Sequence, residues 1–165
     1  MTDYLVPKPT QVRGYALHRM AEGLTGGGRP LFTDFGDHMV LRSAHAVDAP
    51  QRPLRDFTVG DIVGFELRAC VGAKVKGRHR YFPLADWRSR HEWLNRQGMR
   101  HGFGVITVHC AASIATVTKG ARAFTLDQTD FTGVLKVTDA AQFRNALATG
   151  VGSTGRAFGF GMLNL

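Results

Sequence analysis

The sequence predicts an α+β fold built on antiparallel sheets. Three features carry that prediction: helical and strand-like stretches interleave along the chain, the strand-like ones come in pairs joined by short turns, and 20 glycines punctuate them. With 165 residues, 44% of them hydrophobic, the chain can bury the core of one ordinary domain or of two small ones sharing an interface.

Residues 1–9 form a short apolar patch among prolines and serve as the leading strand of the first half. They lack the basic start and long apolar segment of a secretory signal, so cytoplasmic residence is expected. Residues 10–24 read as a helix, with Pro9 before it and Gly26, Gly27 and Gly28 ending it. Val12, Ala16, Met20 and Leu24 recur at helical spacing and are expected to form its buried stripe. The same count turns His18 away from that stripe, onto an exposed flank where Tyr15, three residues earlier, is its neighbour.

Residues 30–34 and 38–44 read as strands joined through Phe35, Gly36 and Asp37, followed by a proline-bearing loop over 48–55. Residues 62–71 alternate as another strand, and 72–80 are too basic and glycine-rich for a core. Residues 84–101 have helical character, with Asp86 a plausible N-cap. Trp87, His91 and Leu94 lie on one side, and Arg88, Arg90, Arg96 and Arg100 supply charge. Two long strands, 103–117 and 122–138, meet at a turn marked by Lys119 and Gly120. Asp139 with Gln142 opens a helix whose apolar side is Phe143, Ala146 and Leu147, and Gly150 ends it. Residues 156–165 are expected to be a final strand. From residue 84 onward the order is close to a ferredoxin-like pattern with an extra leading helix, and the first half is a looser version of the same plan. Domains at 1–83 and 84–165 are expected.

Lys and Arg number 21 against 13 Asp and Glu, a formal charge of +8, which favours a polyanionic partner and makes nucleic acid the leading class. A membrane surface is disfavoured, because no long basic amphipathic helix and no apolar run of spanning length is present. Cys70 and Cys110 lie in separate apolar segments without CxxC spacing and read as buried thiols.

Three constellations could carry chemistry. The densest is the glycine-rich run 150–165. Gly150, Gly152 and Gly155, with Ser153 and Thr154 between them, let the backbone approach a ligand, and successive amides can form an anion cradle to which Arg156 adds charge. Glycines that merely flatten a strand for close packing are the ordinary alternative. The second is Tyr15 with His18, beside Arg19; an isolated helical histidine is usually only a solvated polar group. The third is the basic segment holding Lys74, Lys76, Arg78 and Arg80, together with Lys119 and Arg122 at the later turn, placed to follow a phosphate backbone. There is no GxxxxGK followed by Ser or Thr, no HExxH, no GxSxG and no carboxylate cluster for paired magnesium, and the histidines lack ligand spacing. No metal and no cofactor is expected.

Four stretches taken in order, YALHRM, GFELRACVGAKVKGRHR, HEWLNRQGMRHGFGV and FTGVLKVTDAAQFRNALATGVGSTGRAFGFGMLNL, resemble the CasE branch of the RAMP proteins, the CRISPR RNA endoribonucleases. The resemblance implies tandem ferredoxin-like domains with antiparallel sheets. It also implies a CRISPR repeat RNA stem-loop as ligand, cleavage at the base of its stem, and other subunits of a CRISPR effector complex as partners. The family's Tyr and His on the first helix map onto Tyr15 and His18, with His18 as general acid or base; Arg156 stands where members commonly carry Lys. The implied chemistry is metal-independent, the ribose 2′-OH attacking its own phosphodiester. A non-catalytic RNA-binding subunit and a plain protein-interaction domain are the alternatives.

Overall fold

A computed structural model of the protein describes residues 1–27, 29–76 and 78–165, with the side chains of 74, 75, 78 and 79 outside the described set. The expected helix-ending Gly28 also lies outside it. Strands β1 (Thr2–Pro7), β2 (Leu31–Asp34), β3 (His38–Ser43) and β4 (Gln51–Pro53) form one antiparallel sheet in the order β2-β3-β1-β4, and helix α1 (Gly14–Leu24) runs between β1 and β2. This is the ferredoxin-like strand order, with the irregular segment 44–50 in place of its second helix.

A second sheet has the order β10-β5-β9-β8 and carries the complete pattern of strand, helix, two strands, helix, strand. Its members are β5 (Ile62–Ala69), α2 (Trp87–His101), β8 (Phe103–Lys119), β9 (Arg122–Val137), α3 (Ala140–Thr149) and β10 (Leu163–Asn164). Between β5 and α2 the basic segment folds into a two-stranded hairpin of its own, β6 (Gly72–Val75) and β7 (Arg78–Tyr81). The tandem ferredoxin-like architecture expected from the sequence is therefore present. The division between the sheets does not fall at 83/84, however. Strand β5 is bonded along its length to β9, Leu67 opposite Phe131, because its apolar face fits the centre of the second core.

Two cores follow from these sheets. In the first, Tyr4, Val6, Phe32, Met39 and Leu41 pack against Leu17 and Ala21 of α1. The expected stripe on α1 is thus corrected: Val12 and Met20 only flank the cluster, and Ala16 and Leu24 are exposed. The helix is also shorter than expected, beginning at Gly14 instead of residue 10. In the second core, Phe65, Leu67, Leu94, Phe103, Phe131, Leu135 and Phe143 form the centre, with Trp93 stacked on Phe131 at 6.1 Å. A bulge at Ile106 lets β8 cross closely over Gly133, where any side chain would strike the Thr107 carbonyl.

The caps form as read: Asp86 accepts from the Ser89 amide at 3.0 Å, and Asp139 from the Gln142 amide at 2.9 Å. Arg90 does not supply surface charge. It is fully buried and paired with Asp127 at 2.7 Å, while Trp87 is exposed and Trp93, Leu94 and Gly98 face inward with Arg90. Residues 156–165 are not a strand but a 3₁₀ turn, Arg156–Phe158, followed by the two-residue β10. The positive φ of Gly155, Gly159 and Gly161 (82°, 83° and 90°) cannot sit in an extended strand.

Among the described residues, three hydrogen bonds tie the halves together. Arg42, bidentate on Asp3, donates to the Leu147 carbonyl at 3.2 Å; Arg68, paired with Asp130, donates to the Asp34 carbonyl at 3.1 Å; Asn164 donates to Thr33 Oγ1 at 3.1 Å. No described helix is long and apolar enough to cross a membrane.

Candidate functional site

Helix α1 is aimed by its approach. Buried Lys8, at the end of β1, binds Asp34, the Gly36 carbonyl and the Val12 carbonyl at 3.0, 2.6 and 2.9 Å, joining the β2–β3 turn to the segment that enters the helix. With Leu17 and Ala21 committed to the first core, His18 is drawn inward, its side chain only 14% exposed. Its ring lies 6.3 Å from Phe32 in a stacked arrangement and 5.5 Å from Tyr15. The expected neighbour is present, but the expected exposed flank is not. The His18 Nε2 lies 3.2 Å from Glu22 Oε1, and among the described residues the buried Nδ1 has no partner. Glu22 also accepts from Arg19 at 2.7 Å, so the exposed Arg19 guanidinium is engaged on its own helix.

His18 opens onto a cavity of about 520 Å³ between the halves, lined also by Arg29, Leu31, Thr149, Ser153 and Arg156. The glycine-rich loop reaches it because its ends are anchored: the Val151 amide bonds the Gly161 carbonyl at 2.7 Å, and the Gly161 amide bonds the Arg68 carbonyl at 2.7 Å. Gly150 has φ 80°, and a Cβ there would lie 2.8 Å from the Gly161 carbonyl oxygen and 2.9 Å from Leu31. Among the described residues the amides of Gly152, Ser153, Thr154 and Gly155 have no main-chain or side-chain acceptor, which leaves the expected anion cradle available.

Arg156 has a different part from the one expected. Its Nε and Nη2 donate to the Gly152 carbonyl at 3.0 and 2.5 Å, and Nη2 to the Gly150 carbonyl at 3.3 Å, so it braces the loop from within. Burial, then the nearby Arg29 cation, lowers its pKa below the usual guanidinium value. His101 is lowered as well, by burial first and then by Arg156 and Arg100.

The other basic residues divide by place. Lys119 and Arg122, flanking the β8–β9 turn, are both exposed, and the Lys119 Nζ sits 4.9 Å from the Tyr15 ring centroid. The turn is thereby brought to α1. Lys76 and Arg80 are exposed on the β6–β7 hairpin, whose Tyr81 hydroxyl donates to the Thr125 carbonyl of β9 at 3.4 Å. The side chains of Lys74 and Arg78 lie outside the described residues.

Arg29 and Glu22 were missed in the sequence. Arg29 follows three glycines and reads as part of a helix terminator. Glu22 lies four residues after His18, the spacing for a side-chain pair on one helix face, and that spacing was the available signal. Among the described residues no three His, Cys, Asp or Glu side chains are grouped as a metal ion would require.

The arrangement places one imidazole, with a phenol beside it, at a cavity lined also by Arg29 and by a loop whose amides are uncommitted among the described residues, a combination suited to a phosphodiester. Comparison with known proteins agrees with the architecture. Over 99% of its length the chain is similar to Thermus thermophilus Cse3 bound to an RNA representing a pre-cleavage complex (TM-score 0.83, 19% identity, 97% of that chain). It is also similar to the CRISPR-associated protein Cas6e from Escherichia coli K-12 (TM-score 0.79, 21% identity, 99% and 98% of the two chains). A chain of E. coli Cascade bound to a PAM-containing double-stranded DNA target matches at TM-score 0.65 and 20% identity, over 99% and 96%. At these identities the likeness is one of fold. No curated protein sequence matches significantly. Residues 25–165 match the family described as CRISPR associated protein, and the chain belongs to that family.

Proposed function

We propose that the protein is a metal-independent endoribonuclease that binds the stem-loop of CRISPR repeat RNA and cuts precursor RNA at the base of the stem. The observation that carries this reading is that His18, with Tyr15 beside it on the first ferredoxin-like unit, faces across one cavity the glycine-rich loop of the second, whose 152–155 amides are uncommitted among the described residues. Its support from outside the chain is that relatives of the same fold are described as bound to RNA, one of them as a pre-cleavage complex, and that another is part of Cascade. On that basis the protein keeps its product and serves as a subunit of an effector complex.

In this mechanism the ribose 2′-OH beside the scissile phosphate attacks in line, leaving a 2′,3′-cyclic phosphate and a 5′-OH. RNA supplies its own nucleophile, so the protein needs to fix geometry, move protons and stabilise charge. His18 is the general acid or base and Tyr15 orients the phosphate. With Nε2 on Glu22 and Nδ1 buried, the resting imidazole presents no free nitrogen. RNA binding therefore has to release Nε2, leaving Glu22 to Arg19. Lys74, Lys76, Arg78 and Arg80 of the hairpin, with Arg122, follow the phosphate backbone of the stem, and the amides of 152–155 hold a phosphate at the cut.

The closed state of His18 is also what a non-catalytic stem-loop binder would show, and one experiment separates the two. Purified protein is incubated with its cognate repeat RNA in the presence of a chelator. Wild type cleaves; His18→Ala lowers the rate at least about 100-fold with RNA affinity unchanged. RNA carrying a 2′-deoxyribose at the cut binds and stays whole. Normal cleavage by His18→Ala refutes the assignment of His18, and no cleavage by wild type refutes the endoribonuclease reading.

A further inference from the structure

The β8–β9 hairpin is longer than its sheet requires. Strand β5 covers β9 only from Thr129 to Lys136, yet β8 and β9 stay paired out to Lys119 opposite Arg122. The overreaching end is held firmly. Val117 and Leu126 are buried in a small apolar cluster with Cys70 and Phe160, and Phe124 packs edge-on against Phe158 at 5.3 Å. Phe158 and Phe160 belong to the glycine-rich segment. The tip is therefore fixed to that segment on one side and reaches α1 on the other, where the Lys119 Nζ lies 4.9 Å from the Tyr15 ring centroid.

Arg29 and Arg156 line the cavity, Arg19 and Lys119 lie on or against the helix that carries His18, and the four are not equally available. Arg156 is committed to the carbonyls of Gly150 and Gly152, and Arg19 to Glu22. Arg29 lies at the Arg156 end of the cavity. Lys119 has no ion pair among the described residues; its ammonium rests on an aromatic face, a partner that a phosphate oxygen readily replaces. It also stands at the end of the site where Tyr15 meets His18.

We propose that Lys119 is a catalytic residue, its ammonium delivered by the overreaching hairpin to the non-bridging oxygens of the scissile phosphate, where it stabilises the charge that builds as the 2′-OH attacks. This rests on the endoribonuclease reading and adds to it the cation that sequence alone could not assign.

The test uses the full chain, single-turnover cleavage of repeat RNA at saturating protein, and affinity for the uncleavable 2′-deoxy RNA. Lys119→Met keeps the apolar stem over Tyr15 and removes the charge. It is expected to slow cleavage about 10- to 100-fold while affinity changes less than about threefold, and Lys119→Arg is expected to recover most of the rate. An unchanged thermal midpoint for Lys119→Met shows that the hairpin still docks. A wild-type rate for Lys119→Met overturns the proposal, as does a loss of affinity that accounts for the whole effect. His18→Ala is measured alongside. If wild type does not cleave, the underlying reading fails; if wild type cleaves and His18→Ala is inactive while Lys119→Met is normal, only the assignment of Lys119 fails.

Discussion

Removing the Asp127 carboxylate is the sharpest test of how the second core is held. Arg90 and Asp127 are both fully buried, joined by paired bonds of 2.7 and 2.8 Å. Thr129 accepts from the same guanidinium and donates to Asp127 at 2.9 Å, and the carbonyls of Phe82 and Pro83 accept from its Nη2 at 3.2 and 3.3 Å. Asp127→Ala leaves a guanidinium in the interior with its counter-charge gone, a change that typically costs about 3–5 kcal/mol. For a chain of this length each kcal/mol lowers the thermal midpoint by about 2–4 °C, so the variant should melt about 6–20 °C below wild type. The assay is thermal denaturation at neutral pH, with the double variant Arg90→Met, Asp127→Leu as control. The double variant should regain most of the loss, because the penalty belongs to the unpaired charge and not to the missing pair. A single variant melting within about 2 °C of wild type would refute the reasoning. Asp127 also lies where β9 passes beyond β5, so the same substitution should loosen the tip that carries Lys119 and slow cleavage beyond any effect on binding.

Two further outcomes are expected. Gly150→Ala should lose about 1–3 kcal/mol in a denaturant titration, because φ 80° is strained for alanine and its Cβ would meet the Gly161 carbonyl; cleavage should fall with it as the loop amides shift. The Cys70 thiol, pushed up to about 11 chiefly by burial, stays protonated at pH 8, so its alkylation followed by mass spectrometry should be at least about tenfold slower in folded than in denatured protein; equal rates would contradict its burial.

What could be read from the sequence was local. Asp86 and Asp139 cap as expected because a cap is a contact three residues long, and the turns at 35–37 and at Lys119–Gly120 are set by their own glycines. The pairing of Tyr15 with His18 follows from helical spacing. What could not be read was decided by distant partners. Two apolar stripes compete on α1, and Phe32, Met39 and Leu41 select Leu17 and Ala21, turning His18 inward with them. Arg90 looks like a surface charge until Asp127, from another strand, encloses it. The terminal glycines suggested a flat strand, but their positive φ makes a folded loop. Lys119 reaches Tyr15 only because β8 and β9 stay paired past the sheet.

The bonds from Arg42 to Leu147, Arg68 to Asp34 and Asn164 to Thr33 each cross from one half to the other. Two of them start from guanidiniums already anchored on carboxylates, so neither half can slide without drawing its neighbour's backbone along. The width of the cavity between them is consequently a built dimension. On the proposed reading, adaptation to different stems has to come from side chains and hairpin tips, and a graft of either half into another scaffold would carry the residues across but lose the spacing between them.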